Sequence, residues 1–241
     1  MLKITNLTKR YYGSDVDAVK DVSLELHKGE IFGLLGLNGS GKTTTFKAIT
    51  GIHPFDAGEI IVNGYNLVEE PIKAKMELAY IPDNHATFEE LTGLEYINFM
   101  ADMYKVSLKD RMSRISNFAE LLAMEEHLNK QIKTYSHGMK QKIAIMGGII
   151  HYPNIWILDE PLVGLDPISM HEIKKFLIDY AKSGKTVIFS SHILEIVEEL
   201  CDRVAIINEG EIKGIYNLEE KVDLNQIFRD LVKRWETLLH Y

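Results

Sequence analysis

Ile31-Phe32-Gly33-Leu34-Leu35-Gly36-Leu37-Asn38-Gly39-Ser40-Gly41-Lys42-Thr43-Thr44 is the stretch on which the fold turns. Ile31 to Leu35 reads as a short apolar strand, and Gly36 to Thr43 satisfies G-x-x-x-x-G-K-[ST] ahead of a helical stretch. Strand, glycines and helix in that order make a phosphate-binding loop. Glycines let the backbone wrap closely enough for N–H groups to point inward, and the helix N-terminus adds partial positive charge. Gly36, Leu37, Asn38, Gly39, Ser40, Gly41, Lys42, Thr43 and Thr44 are therefore the candidate nucleotide-binding residues. Lys42 is expected to reach the β- and γ-phosphates, and the Thr43 hydroxyl a Mg²⁺ ion.

Outward from this loop, apolar runs alternate with amphipathic stretches, the pattern of an α/β protein. Strands are expected at 2–7, 22–26, 58–62, 78–82, 155–158, 186–190 and 203–207, with Asn63-Gly64 as a hairpin turn. Between 85 and 151 the pattern is helical only, and Thr92 with Glu95 and Ser107 with Asp110 have capping-box spacing. The expected organisation is a core of 1–84 and 152–213, a helical lobe of 85–151 and a tail of 214–241. In the tail Leu224, Ile227, Phe228, Leu231, Trp235, Leu238 and Leu239 form one helical stripe, packed on its own domain or on a second chain.

Composition narrows the classes. The chain has 241 residues, 46% of them hydrophobic and 26% charged, enough for a sizeable core. With only 6 prolines and 17 glycines it is neither collagen-like nor largely disordered. Cys201 is the single cysteine, which excludes a disulfide framework and a cysteine-based zinc site and suits a reducing, cytoplasmic setting. A net charge of -8 argues against a broad nucleic-acid surface. The longest apolar or glycine run, Ile143 to Ile150, is far short of the roughly 20 residues that cross a bilayer. No signal-peptide pattern is expected at Met1 to Asn6.

Ile155-Trp156-Ile157-Leu158-Asp159-Glu160 is a buried-type strand ending in two carboxylates. Asp159 at the tip is suited to hold Mg²⁺, directly or through water, and Glu160 to deprotonate an attacking water. Further motifs follow in a fixed order: Tyr135-Ser136-His137-Gly138-Met139-Lys140-Gln141 before that strand, then Pro161, Gly164-Leu165-Asp166 and Ser190-Ser191-His192 after it. With the phosphate loop, these resemble the ATPase subunit of ABC transporters from about residue 2 to residue 213.

The resemblance implies a P-loop NTPase core with an antiparallel β subdomain and an inserted α-helical subdomain, using ATP and Mg²⁺. It assigns Tyr12, with Tyr11 as the alternative, to stacking on adenine. Ser136, His137, Gly138 and Met139 match the signature segment that meets the γ-phosphate held by another subunit. Asp166 matches the loop between the two sites, and His192 the histidine that contacts the γ-phosphate beside the catalytic Glu160 and Lys42. Asp83 occupies the place of a metal-facing glutamine, with Asn84 as the alternative source of the amide. His137 and Met139 replace a usual glycine and glutamine, and Val163 a usual serine or asparagine. The form Tyr-Ser-x-Gly-Met-x-Gln resembles the type 2 exporter branch for drugs, peptides or lipids. The implied partners are a membrane-spanning permease and a second ATPase subunit, in a homodimer or heterodimer, on the cytoplasmic face of the membrane. A soluble ABC ATPase acting on ribosomes or DNA, and a regulatory module without turnover, are the rival readings.

Overall fold

The computed structural model describes residues 1–83, 88–218 and 223–229. Asn84 and the tail positions Leu231, Trp235, Leu238 and Leu239 lie outside the described residues. Two sheets carry the fold. The smaller one is antiparallel, ordered β2-β1-β4-β5, from β1 (Leu2–Arg10), β2 (Asp17–Leu26), β4 (Ala57–Val62) and β5 (Tyr65–Asn66). The Asn63-Gly64 turn joins its last two strands, with φ of 48° and 93° at those residues, the left-handed values that such a hairpin requires.

The larger sheet is ordered β10-β9-β3-β8-β7-β6. It contains β3 (Ile31–Leu35), β6 (Leu78–Ile81), β7 (Ile155–Asp159), β8 (Thr186–Ser191), β9 (Arg203–Asn208) and β10 (Glu211–Asn217). All neighbours pair in parallel except the edge pair β9 and β10. Every residue of β3, β7 and β8 is buried, as expected of parallel strands covered on both faces. Alternate residues serve different cores. Trp156, Leu158, Val187 and Phe189 join the helical side, and Ile155, Ile157, Ile188 and Phe32 join the side of the small sheet and α1 (Lys42–Ile49).

Between β6 and β7 lie α3 (Gly93–Met103), α4 (Leu108–Leu122) and α5 (His137–Ile149). The Thr92 side chain accepts from the Glu95 N–H while Glu95 accepts from the Thr92 N–H, and Ser107 caps α4 through the Asp110 N–H. Such caps contribute about 1 kcal/mol each. α2 (Pro71–Met76), α6 (Pro167–Lys182) and α7 (Leu194–Leu200) complete the described α-helices with assigned bounds. Among the described residues no helix is long and apolar enough to cross a membrane.

One expected boundary moves. The tail was expected from residue 214, but that position falls inside β10, which pairs antiparallel with β9 through Asn217. The strand completes the sheet edge, so the core's last strand extends past 213. Further on, Leu224 is fully buried in the helical-side core, with Ile227 and Phe228 packed against it. These described positions of the stripe therefore pack on their own chain.

Candidate nucleotide-hydrolysis site

Parallel register brings the motif ends to one edge. Leu35 pairs with Ser191, Asp159 with Ser190, and Ile81 with Leu158. The phosphate loop, Glu160, His192 and the Asp83 loop therefore all leave the sheet at its carboxyl end, where open α/β sheets hold ligands. A cleft of about 290 Å³ opens there, lined by Ala18, Asn38 to Thr44, Asp83, Asp159 and Glu160.

Gly41 caps α1 with φ at 109° and has no room for a side chain, since a Cβ would stand 2.6 Å from the Ala18 carbonyl oxygen. Glycine holds this left-handed backbone at little cost, and the N-terminus of α1 that follows borders the cleft, the helix end suited to an anion. The buried Lys42 ammonium donates to the carbonyls of Gly36 at 2.7 Å and Leu37 at 3.2 Å. Burial pushes its pKa down from the usual lysine value, and Glu160 and Asp159 oppose that shift.

Thr43 Oγ1 donates to Asp159 Oδ2 at 2.6 Å, and Ser190 Oγ donates to Asp159 Oδ1. The Ser190 oxygen also accepts from the Glu160 N–H at 3.1 Å. Glu160 has φ at 49°, a backbone that costs a non-glycine residue about 1–3 kcal/mol and collects at functional sites. Its Oε1 lies 2.8 Å from His192 Nδ1, the reach needed for the two groups to share a proton or hold one water.

Thr43, Asp159 and Asp83 offer a hydroxyl and two carboxylates, all hard oxygen donors suited to Mg²⁺. Among the described residues no group of three or more His, Cys, Asp or Glu side chains could hold a metal by itself.

Tyr12 and Tyr11 separate clearly. The Tyr12 side chain is fully exposed, open on both faces for stacking. Tyr11 is engaged: its hydroxyl is 3.1 Å from Thr44 Oγ1, and its ring meets His53 edge-on at 5.6 Å. The signature segment is elsewhere. Ser136 caps α5 by accepting from the Met139 N–H at 3.3 Å, and neither it nor His137, Gly138 or Met139 lines the phosphate cleft of its own chain. Asp166 caps α6 and meets Lys142 Nζ at 3.2 Å. Its carboxyl sits well below the ordinary range because the Ser169 hydroxyl and N–H donate to it, with Lys142 adding to the effect.

Similarity to known proteins now decides the family. The ABC transporter family profile matches residues 19–163, more than half of the chain. The chain belongs to the ABC transporter family. It is 40% identical to the linearmycin resistance ATP-binding protein LnrL of Bacillus subtilis, over 89% of this chain and 68% of that one. It is 33% identical to the ABC transporter ATP-binding protein NatA of the same organism, over 97% of this chain and 99% of that one. A solved structure of an ATP-binding subunit of an ABC transporter superposes with a TM-score of 0.91 at 30% identity, covering 96% of this chain and 99% of that one. This ABC protein is accordingly an ATP-binding transport ATPase with the P-loop fold that the motifs implied.

Four residues of the ABC site carry more than sequence reasoning gave them. Ser190 joins Asp159 to the Glu160 backbone; a polar pair at the tip of an otherwise apolar strand was the signal. Tyr80, half-buried near the end of β6, has its ionisation pushed up by burial and then by the charges of Asp159 and Asp83. Gln141 and Lys142 bind the loop after Glu160. Nothing in their spacing announced that partner.

Proposed function

We propose that this ABC ATPase powers an exporter by closing head-to-tail on a second ATPase subunit, with Mg-ATP held between the Lys42 side of one and the Ser136 side of the other. The observation that carries this reading is the Glu160–His192 pair at 2.8 Å beside a phosphate cleft that the chain's own signature segment does not line. The signature segment, in this reading, meets a phosphate held by the other subunit.

In this reading Tyr12 stacks on adenine, while the loop N–H groups and Lys42 hold the phosphates. Asp159 and Thr43, with Asp83, hold Mg²⁺, which neutralises charge on the phosphates when bound. Glu160 takes the proton of the attacking water, His192 fixes the carboxylate and the water's position, and Lys42 stabilises charge that develops on the transferred group. The name of the 40% identical relative, a resistance protein, supports export as the direction.

In this reading a permease supplies the bilayer path; among the described residues no helix is long and apolar enough to cross a membrane. The surface best suited to it is an apolar hollow of about 370 Å³ lined by Phe88, Glu89, Glu90, Leu91 and Phe99. Phe88 and Phe99 meet edge-on at 5.4 Å and both are exposed, a concentration of aromatics typical of interface cores. Replacing Phe88 and Leu91 with Asp, in the chain co-expressed with its genomic neighbours, should release it from membranes while nucleotide binding stays near the parental level. Retention of a folded double variant on the membrane would overturn this docking surface. A parent that never associates with membranes would overturn the transport reading.

A further inference from the structure

The first turns of α5 grip the loop that leads away from Glu160. A Cβ built on Gly164 would stand 2.6 Å from His137 Cδ2 and 3.1 Å from Nε2, so the imidazole lies directly over that glycine. A Cβ on Gly138 would stand 2.9 Å from the Gly164 carbonyl oxygen. One turn further, the buried Gln141 side chain donates to the Pro161 carbonyl at 2.9 Å, and Lys142 Nζ meets Asp166 Oδ2 at 3.2 Å. Positions 137, 138, 141 and 142 share one helix face, and their contacts bracket the loop at its start, middle and end. Gly164, at φ 80°, has no side chain with which to fix itself. The ring of His137 covers it.

We propose that His137 is a positioning residue whose ring holds Gly164, and through that loop Glu160, in fixed register with Ser136. The proposal rests on the shared-site reading above, in which Ser136 meets a phosphate bound by the other subunit. A phosphate arriving at Ser136 then shifts α5 and the 161–166 loop as one body, and the carboxylate at the start of the loop shifts with them. Two packed elements with several points of contact transmit such a displacement, whereas a glycine at 137 would leave only the Gly138 backbone against the middle of the loop.

The test is steady-state ATP turnover, together with binding of a fluorescent ATP analogue, for the full chain and folded variants. His137→Gly should lower kcat about fivefold, the scale of coupling between contacting residues, and leave analogue affinity within about twofold of the parent. His137→Gln, which keeps a planar group of similar reach, should recover at least half of the parental kcat. Gly164→Ala should cost less in the His137→Gly background than in the parent, by more than about twofold, because the ring it strikes is gone. If His137→Gly does not fold, His137→Ala replaces it in the same comparisons. Parental kcat in the folded variant, or an equal cost of Gly164→Ala in both backgrounds, would overturn the role of His137. Ser136→Arg in a Glu160→Gln background separates the two readings. If ATP still drives dimerisation there, the shared site fails and this proposal falls with it. If dimerisation is lost while His137→Gly matches the parent, the role of His137 alone fails.

Discussion

Ser190 and Ser136 are both small hydroxyl residues, and they sit in opposite settings. Ser190 is fully buried, donating to Asp159 and accepting from the Glu160 N–H. Ser136 is exposed, and its hydroxyl accepts from the N–H of its own helix at a long 3.3 Å. At the sheet edge, strand register and two hydroxyls arrange the carboxylates within one chain. At the start of α5 the geometry is a helix cap, which aligns N–H groups and a hydroxyl outward without supplying the anion they suit. In the proposed function, the half assigned to the chemistry is thus the one held by buried hydrogen bonds, and the half assigned to a second subunit is the more exposed one.

The largest test of that contrast is Glu160→Gln. Glutamine keeps the shape of the side chain and its reach toward His192 while removing the basic charge. Turnover should fall roughly 10²–10⁴-fold, the usual worth of a general base, while ATP remains bound and an ATP-loaded dimer accumulates. Radiolabelled phosphate release and light scattering in Mg-ATP measure the two effects. Near-parental turnover would remove Glu160 from the chemistry and with it the claim that the sheet edge is assembled for hydrolysis.

What was legible in the sequence follows the same division. β3, β7 and β8 are buried on both faces, so their unbroken apolar runs announced them and placed the phosphate loop, Asp159 and Ser190 at strand ends. α2 was not anticipated, because it is one short turn and a half with Ile72 and Met76 exposed, leaving no apolar stripe to read. β10 was missed because an edge strand is only half-buried and carries Glu211, Lys213 and Gly214 in place of alternation. β1 and β2 extend beyond the expected spans through register shifts that break the period-2 pattern. The Glu160–His192 contact joins residues 32 positions apart, and only the resemblance to a family suggested it. The grip of His137 on Gly164 had no sequence signal, since helix faces and loops meet by tertiary packing that local patterns do not encode.

A smaller effect is expected from Asp83→Asn. Asp83 lines the phosphate cleft and is exposed, so in the proposed reading its carboxylate would act on the metal through a partly solvated path. Removing the charge should shift the Mg²⁺ concentration for half-maximal turnover by about two- to fivefold, the size of a solvent-exposed charge interaction, with nucleotide binding retained. Superimposable Mg²⁺ titrations would take Asp83 away from the metal and leave Thr43 and Asp159 as the chain's donors. A shift would show that the loop after β6 completes the edge already set by β3, β7 and β8.

The smallest effect on turnover, and the one that probes the joint between the two regions, is expected at His151. This ring follows the C-terminal end of α5, stacks on Tyr104 at 3.6 Å between centroids, and lies 3.1 Å through Nε2 from the Leu78 carbonyl at the start of β6. It therefore ties the helical lobe to the sheet. Burial lowers its pKa from 6.5 to about 4; the Leu78 contact opposes the shift, Arg114 reinforces it and Glu77 opposes it. The unfolded chain consequently binds more protons than the folded one between those two values, so stability falls as pH drops through about 6.5 and the loss levels off near 4. The full difference is on the order of 3 kcal/mol, at about 1.4 kcal/mol for each pH unit. His151→Gln keeps a donor for the Leu78 carbonyl and removes the titration. Urea midpoints at pH 7 and pH 4.5 should show the parent losing about 2–3 kcal/mol more than the variant, with turnover at neutral pH nearly unchanged. Equal losses would mean that the imidazole at this joint takes up its proton in the folded chain as readily as in the unfolded one, and that the lobe and the sheet are not held together through a neutral, part-buried ring.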